Sequence, residues 1–150
     1  MNMKTNDKTA LQKYPYPLPV VRMIIEDEKG RVLILQRPEG DEHGPNAWSL
    51  PGGKIDYGDT IEQACERELF EETQLTCTTC DFLFYQDSLP IKSGGIHCIN
   101  FYLKCVVKGE VNINAESRHY AWISADNLSH YEIAFRNDEA LVKYWKGKYS

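Results

Sequence analysis

The size and charge of this chain limit the classes of protein to which it belongs. Its 150 residues, 42% of them hydrophobic and 26% charged, are typical of a single globular domain and not of a disordered or fibrous chain. Seventeen basic against twenty-two acidic residues leave a net charge of −5, which argues against a general surface for duplex nucleic acid, because such a surface needs clustered Lys and Arg.

The N-terminal residues and the cysteines indicate a cytoplasmic protein. The opening stretch MNMKTNDKT lacks the apolar core of a signal peptide, and no apolar run is long enough to cross a membrane. The five cysteines do not have the density of a disulfide scaffold, so we expect them to be reduced. Residues 1–19, which end in YPYPLP, are predicted to form a flexible arm, and residues 20–150 a single domain.

Two β-strands joined by a turn are predicted at the start of the domain. Residues 20–26 and 31–36 are rich in β-branched and aliphatic side chains, and residues 27–30 between them have the composition of a turn. A flexible loop at residues 39–46, rich in Gly and Pro, then precedes a short strand at residues 47–50. We expect that loop to form the rim of a site.

The most informative segment is GGKIDYGDTIEQACERELFEETQL, a glycine turn followed by a predicted helix. Glu68, Glu71 and Glu72 lie at positions i, i+3 and i+4, so they project from one helix face with Cβ atoms roughly 5–6 Å apart. Their mutual repulsion near the end of the helix, where the helix dipole also disfavours anions, is a cost that a divalent cation would offset. We therefore expect a site for Mg²⁺, with Mn²⁺ as the next choice; the alternative is a solvated acidic face.

This segment resembles the signature box of the Nudix hydrolases, G-x5-E-x7-R-E-U-x-E-E-x-G-U, in which U is aliphatic. The positions that match are Gly53, Arg67, Glu68, Leu69, Glu71, Glu72 and Leu75. Two positions depart from the pattern, because Asp59 replaces Glu and Gln74 replaces Gly. We expect Asp59 or Thr60 to cap the helix, with Glu62 or Gln63 completing a capping box. Asp59 should hold Arg67 less firmly, and Gln74 should lengthen or alter the end of the helix without loss of activity.

The resemblance implies an α/β/α sandwich with a mixed β-sheet, in which water attacks a phosphorus atom of a nucleoside diphosphate derivative. The substrate would be a nucleoside triphosphate, ADP-ribose or a nucleotide sugar, and metal ions would neutralise its pyrophosphate. The implied metal ligands are Glu68, Glu71, Glu72 and the Gly53 carbonyl. Arg67, partnered by Asp59, is implied to orient the acidic cluster. Glu116 is a candidate for the base that activates water, and is equally compatible with an exposed loop acid.

Contacts with the substrate are predicted from position in the chain. Arg37 and Lys54 are the candidates for a phosphate contact, with Arg22 a third basic residue nearby, and Trp48 is a candidate to cover the substrate; the alternatives are solvated cations and a core aromatic residue. Weaker candidates for stacking on a base are Tyr57, Tyr131 and Phe135. Pro90 is similar to the downstream proline that marks ADP-ribose pyrophosphatases in the family, although an ordinary turn also explains it.

The rest of the chain completes a layered fold. Strands are predicted at residues 76–86, 96–107 and 120–123, a helical turn at residues 126–128 and a final helix at residues 137–145. Strands with one helix on each side predict an α/β/α arrangement, independently of the resemblance.

Two other functions remain open at this stage. One is a Nudix-like domain that senses a nucleotide without cleaving it; the three retained glutamates favour catalysis instead. The other is a zinc–thiolate protein built on Cys77, Cys80 and Cys98, whose spacing is not that of a familiar zinc motif, so that free cysteines in strands are favoured. We expect a small-molecule substrate and no duplex nucleic acid or membrane partner, and the sequence leaves a homodimer open.

Overall fold

The computed structural model describes residues 15–147 and residue 149. In chain order its elements are β1 (Leu18–Ile24), β2 (Val32–Gln36), β3 (Trp48–Ser49), β4 (Gly52–Lys54), α1 (Ile61–Thr73), β5 (Thr76–Ser88), β6 (Cys98–Lys108), β7 (His119–Ile123), a 3-10 helix (Ala125–His130) and α2 (Asn137–Lys146). These bounds agree with the predicted elements to within about two residues, except that β4 was predicted as a turn. In this part of the chain no helix is long and apolar enough to span a membrane.

The strands form two sheets, one of which is mixed. The four-stranded sheet has the order β4-β1-β6-β5, in which β1 and β6 run parallel and the two outer pairs are antiparallel. The three-stranded sheet has the order β3-β2-β7 and is antiparallel throughout. The predicted mixed β-sheet is therefore confirmed.

The predicted turn between the first two strands is present, but the strands that it joins lie in different sheets. The Asp27 carboxylate accepts hydrogen bonds from the backbone N–H groups of Lys29 and Arg31, and this closes the turn. Beyond a single bridge between Glu26 and Val32, β1 and β2 diverge. The turn therefore connects a strand of the four-stranded sheet to a strand of the three-stranded sheet.

The N-terminal boundary of the domain differs from the predicted one. Strand β1 begins at Leu18, and Leu18 and Pro19 are paired with Cys98 and Ile99 of β6. The predicted arm therefore extends too far, because pairing with a neighbouring strand distant in sequence overrides the local preference of a Pro-rich stretch. Residues 1–14 of the predicted arm lie outside the described residues.

Two hydrophobic clusters lie on either side of the sheets and give the α/β/α layers. One packs α1 on the four-stranded sheet, through Ala64, Cys65 and Leu69 against Val21, Met23 and Leu103. The other packs α2 against the opposite side, through Ala140 and Leu141 with Ile24, Ile34 and Tyr102. Loss of a buried side chain such as Leu69 would cost about 2–5 kcal/mol, so helix α1 is held firmly where it supports the site.

Both ends of α1 are capped. The Thr60 hydroxyl accepts a hydrogen bond from the Gln63 N–H at 3.0 Å, and the Gln63 side chain accepts one from the Thr60 N–H at 2.9 Å, so that Thr60 and not Asp59 is the cap. At the other end the helix stops at Thr73, and Gln74 itself adopts the left-handed conformation, with φ of 64°. The expected longer helix is therefore wrong, since Gln74 takes the conformation that Gly normally provides.

Candidate active site

The glycines of β4 make room for the carboxylates of α1. A Cβ atom on Gly53 would lie 2.5 Å from the Glu68 carboxylate carbon, so only glycine lets Glu68 rest against the backbone there. A Cβ atom on Gly52 would lie 1.9 Å from the Val21 carbonyl oxygen, and the Gly52 N–H donates to Glu72 Oε1 at 3.0 Å. The pairing of β4 with β1 therefore brings a glycine strand under the acidic face of the helix.

Burial and mutual repulsion make Glu68 and Glu72 reluctant to carry charge. Burial, together with the charge of Glu68, raises the pKa of Glu72 to about 8, although the Gly52 N–H opposes the shift. Burial also raises the pKa of Glu68, against the hydrogen bond and charge of Arg67. Two neighbouring carboxylates with raised pKa values in a cleft are typical of a functional site.

Arg67 joins the acidic groups of the site. Its guanidinium lies 3.2 Å from Asp59, 3.0 Å from Glu68 and 3.3 Å from Asp56. Burial alone would lower the pKa of Arg67, but the hydrogen bonds and charges of its acidic partners outweigh this and raise the pKa. The expected weak contact with Asp59 is not seen, because the shorter side chain still reaches Arg67 and Asp56 adds a further acid.

Glu71 has a different environment from the other two glutamates. Its side chain is 56% exposed, its nearest basic partner is Arg67 at 3.7 Å, and it does not line the cavity described below. Within the described residues the three glutamates do not bring their carboxylate oxygens within 4.8 Å of one another. We therefore refer to the i, i+4 pair of Glu68 and Glu72 as the acidic wall of the site. Glu71 lies at the edge of this wall.

A loop after β6 brings Glu116 to the same place. The Asn112 N–H donates to the Thr73 carbonyl at 2.8 Å, and the Asn114 side chain donates to the Glu71 carbonyl at 2.8 Å, so the loop caps the C-terminal end of α1. Glu116 lines the cavity, and its charge adds to the rise in the pKa of Glu72. The sequence placed Glu116 near the site only through the resemblance; the structure places it there by these two capping bonds.

The carboxylates of Glu68 and Glu72 open into a cavity of about 370 Å³ that basic and aromatic residues also line. The basic–aromatic wall of the cavity consists of Arg22, Arg37 and Phe135, and the two guanidinium carbons each lie 4.8 Å from the centre of the Phe135 ring. Arg37 donates to Asp41 at 2.6 Å, but its Nε atom is buried without a hydrogen-bond partner among the described residues. A buried donor without a partner costs about 1–3 kcal/mol of stability. The Arg37 Nε–H is therefore available to donate a hydrogen bond to a ligand.

Arg22 lines the cavity, although its sequence position indicated only a third basic residue nearby. It is only 5% exposed, and it donates to the Asn100 side chain and to the Leu50 carbonyl, each at 3.3 Å. Burial lowers its pKa. A charged residue in the middle of an otherwise apolar strand, VVRMII, was the signal, since a parallel strand covered on both faces normally has no place for a cation.

Phe135 is held in a strained backbone conformation. Phe135 and Arg136 both have φ of 60°, a left-handed conformation that costs on the order of 1–3 kcal/mol for such residues. The Phe135 carbonyl accepts hydrogen bonds from the side chains of Asn100 and Asn137, at 3.4 and 3.2 Å. These hydrogen bonds hold the backbone at Phe135, and the residue lines the cavity, where its ring contacts Arg22 and Arg37. Phe135 is therefore a stronger candidate for stacking on a nucleobase than the sequence indicated.

The other predicted contacts divide between the cavity and the core. Lys54 lines the cavity, as do residues 41–43 of the predicted rim loop. Trp48 does not line the cavity. Its ring packs edge-on against Tyr131 at 5.0 Å, and both rings pack against the hydrophobic cluster under α2. The prediction that Trp48 covers the substrate is therefore wrong. Tyr57 is fully exposed, and Pro90 lines a separate small pocket.

The donor set fits a hard divalent cation. Glu68 and Glu72 supply carboxylate oxygens that are partly removed from water and repel one another, and oxygen ligands of this kind are those that Mg²⁺ and Mn²⁺ prefer. By contrast, Cys98 lies in a different part of the core from Cys77 and Cys80, so the zinc site considered on these three residues is not formed.

Comparisons with known proteins agree with this geometry. A model of the NUDIX domain matches residues 17–144. The nucleoside triphosphatase NudI of Escherichia coli O139:H28 is 34% identical over 123 residues, which cover 76% of this chain and 86% of that protein. The solved MutT protein from Methanosarcina mazei Go1 matches with a TM-score of 0.75 at 24% identity, over 88% of this chain and 96% of that one.

A further structural match has a bound nucleotide derivative. The NUDIX domain of Shewanella oneidensis NrtR, solved in complex with ADP ribose, has a TM-score of 0.72 at 19% identity and covers 88% of each chain. The family model and the similarity to a nucleoside triphosphatase indicate a hydrolase of phosphoric anhydride bonds. The chain belongs to the NUDIX domain family. It is a Nudix pyrophosphohydrolase, and enzymes of this family generally use a divalent metal ion.

Proposed function

We propose that this protein hydrolyses the phosphoric anhydride of a nucleoside triphosphate in an Mg²⁺-dependent reaction. The observation that carries the proposal is the division of one cavity into two walls, an acidic wall of Glu68 and Glu72 and a basic–aromatic wall of Arg22, Arg37 and Phe135. A triphosphate joined to a flat base has the matching division of charge and aromatic surface. The similarity to a nucleoside triphosphatase supports the same class of substrate.

The acidic wall is assigned the metal. Glu68, Glu72 and the Gly53 carbonyl would hold Mg²⁺, and Glu71 would join them by rotation of its exposed side chain. When bound, the cation neutralises the phosphate oxygens and stabilises the charge that develops during water attack. Arg67 holds Glu68 in place through the 3.0 Å ion pair and is in turn held by Asp59. Bare carboxylates would repel the substrate, so this wall needs the cation to function.

Glu116 is proposed as the general base. It reaches the cavity from the loop that caps α1, on the same side as Glu72, and a carboxylate there can take a proton from an attacking water. Glu72 accepts a hydrogen bond from the Gly52 N–H, and Glu68 rests against Gly53, whereas Glu116 has no such contact with the glycine strand among those observed for the described residues. Its position therefore leaves it available for proton transfer.

The basic–aromatic wall is assigned the rest of the substrate. Phe135 offers a ring face on which a base stacks, and the unpaired Nε of Arg37 offers a donor for a phosphate or base oxygen. Lys54 contributes positive charge at the side of the cavity where β4 passes under the helix. ADP-ribose is less favoured, because Pro90, the residue that suggested it, lies outside this cavity.

The test is a panel of substrates incubated with the full-length protein and Mg²⁺. Nucleoside triphosphates, ADP-ribose and nucleotide sugars are compared, and released phosphate, pyrophosphate and monophosphate are measured separately. We expect triphosphates to be the best substrates and activity to require the added cation. Preferred cleavage of ADP-ribose would contradict the proposed substrate, and full activity in the presence of a chelator would contradict the metal. The Glu72→Gln variant serves as the blank for contaminating phosphatases.

Location and assembly also remain proposals. The five cysteines are all free thiols in the structure, and a reducing cytoplasm would keep them so. We place the protein in the cytoplasm on this ground. A homodimer remains a prediction whose test is the molecular mass in solution.

A further inference from the structure

Three cysteines converge in the core beneath the N-terminal half of α1, away from the carboxylates. Cys65 of α1, Cys80 of β5 and Cys105 of β6 have Sγ atoms that all lie within 4.8 Å of one another, and the Cys80 and Cys105 Sγ atoms are 3.4 Å apart. Cys65 and Cys105 are buried, whereas Cys80 is half-buried and gives access from solvent. We refer to Cys65, Cys80 and Cys105 as the thiol cluster.

A β-bulge brings a fourth cysteine to the same face. Cys77 and Cys80 are three residues apart, so in a regular strand they would point to opposite faces of the sheet. The pairing of β5 with β6 shifts between Cys77 and Thr79, so that Cys77 lies opposite Val107 and Cys80 opposite Cys105. Since Cys105 and Val107 share a face, the bulge places both cysteines towards α1, where both pack on the same core cluster.

The separations of the sulfur atoms match those around a metal ion. Thiolates bound to Zn²⁺ at about 2.3 Å in tetrahedral geometry lie roughly 3.8 Å from one another. The Cys80–Cys105 separation of 3.4 Å is close to that value, and the other two separations do not exceed 4.8 Å. A disulfide would use only two of the three sulfur atoms.

We propose that the thiol cluster, with Cys77 as a fourth ligand, is a binding site for a thiophilic cation with a filled d shell, Zn²⁺ or Cu⁺. Soft sulfur ligands select such cations over Mg²⁺, so the two sites do not compete. Binding releases protons from the thiols and fixes α1 to β5 and β6. The sheet order β4-β1-β6-β5 puts Gly53 and Cys80 on opposite edge strands, roughly 14 Å apart.

The site has a structural consequence for the enzyme. Cys65 and Glu72 are seven residues apart on α1, so they lie on one face of the helix about 10 Å apart along its axis. A cation at the thiol cluster would anchor one half of the helix, while the other half positions the carboxylates. The cluster therefore acts as a second fixation point of the helix on the sheet.

The test uses the full-length, reduced protein from which bound metals have first been removed. Saturating Mg²⁺ is then added to fill the carboxylate site. Co²⁺ is the spectroscopic probe for the Zn²⁺ arm, because thiolate-to-cobalt charge transfer reports sulfur ligands directly; Zn²⁺ is then added to displace it. The Cu⁺ arm is an anaerobic competition with a chromophoric chelator. We expect one equivalent to bind in at least one arm, and the melting temperature to rise with it.

Cys80→Ser is the test variant, because Cys80 is half-buried and its replacement perturbs the core least. Cys98→Ser is the matched control, since Cys98 is buried but lies outside the thiol cluster. We expect binding to be more than about a hundredfold weaker in Cys80→Ser and unchanged in Cys98→Ser, with both variants folded by circular dichroism. If Cys80→Ser is unfolded, Cys77→Ser replaces it, and a loss of binding of at least about tenfold is expected.

Three results would overturn the proposal. One is the absence of charge-transfer absorption with Co²⁺ together with no retention of Cu⁺ against the chelator. Another is equal binding by the wild type and by Cys80→Ser. Rapid formation of a Cys80–Cys105 disulfide on mild oxidation, without metal binding in either arm, would also contradict it and would identify the thiols as a redox pair.

Discussion

The two walls of the cavity are built in opposite ways. The acidic wall comes from one continuous segment, in which the glycine strand β4 and helix α1 are separated by six residues and every group has a partner nearby in sequence. The basic–aromatic wall comes from three distant segments, with Arg22 on β1, Arg37 after β2 and Phe135 before α2. A local segment can carry the chemistry, whereas recognition of the substrate depends on how the whole chain folds.

The largest effect should come from the acidic wall. Glu72→Gln keeps an acceptor for the Gly52 N–H but removes the charge that holds the cation, so we expect turnover with Mg²⁺ to fall by at least about a hundredfold. The matched control is Glu66→Gln, an exposed glutamate of the same helix that does not line the cavity, and it should be unchanged. Near-normal turnover of Glu72→Gln would remove the acidic wall from the mechanism.

The second-largest effect on turnover is expected at Gly53, the glycine that lies under helix α1. In Gly53→Ala the new Cβ would lie 2.5 Å from the Glu68 carboxylate, so Glu68 must move, and we expect kcat to fall by roughly thirtyfold or more. Gly40→Ala is the control, because a Cβ on Gly40 meets nothing within 4 Å. Steady-state kinetics of the two alanine variants distinguish a specific steric effect from a general loss of glycine.

The basic–aromatic wall should affect binding more than turnover. Phe135→Leu removes the ring that both guanidinium groups contact, so we expect KM for a nucleoside triphosphate to rise about tenfold while kcat changes less than about threefold. Trp48→Phe, in the core beside Tyr131, should leave KM within about twofold. A large rise in KM for Trp48→Phe with none for Phe135→Leu would reverse the assignment of the two aromatic residues.

In the metal-free protein, the buried charge of Glu72 should make the free energy of unfolding depend on pH. Because the pKa of Glu72 is raised to about 8 in the folded state, the folded protein binds this proton more tightly than the unfolded chain does. Stability should therefore fall as the pH rises from about 4.5 to about 8. Glu72→Gln should be more stable than the wild type above pH 8, by on the order of 1 kcal/mol or roughly 2–4 °C, and equally stable near pH 4.5.

Thermal melts in a chelator across this pH range measure the effect, and added Mg²⁺ should stabilise the wild type but not the variant. Glu66→Gln again provides the control, because its exposed side chain has no such environment. A wild type whose metal-free melting temperature rises through this range would contradict the assigned burial of the Glu72 charge.

The smallest effect is expected at Asp59. Asp59→Glu restores the residue of the family pattern, but Asp59 already lies 3.2 Å from Arg67 and Asp56 supports the same guanidinium. We expect turnover to change by less than about twofold, neutral or slightly raised. Asp59→Asn, which keeps the size and removes the charge, is the comparison that shows whether this ion pair is needed at all.

Local elements of the fold were predictable because their signals lie within a few residues. The i, i+3 and i+4 spacing of the glutamates and the Thr60–Gln63 cap specify α1 and its acidic face. The confirmed strands follow from runs of β-branched and aliphatic side chains. The start of β1, the strand pairing of Gly52–Lys54 and the end of α1 at Gln74 were not predictable, since contacts with distant residues decide them.

What the sequence by itself determined was a cation site, through one helix whose acidic face is unfavourable without a cation, and, through the resemblance of that segment to the Nudix box, the reaction class. Only the tertiary structure decided which side chains share the cavity with that helix. It buried Arg22, placed Phe135 in contact with two guanidinium groups, packed Trp48 against the core and gathered Cys65, Cys80 and Cys105 from three elements. The reason is physical: helix periodicity acts over a few residues, whereas burial and the pairing of strands act between residues far apart in the chain.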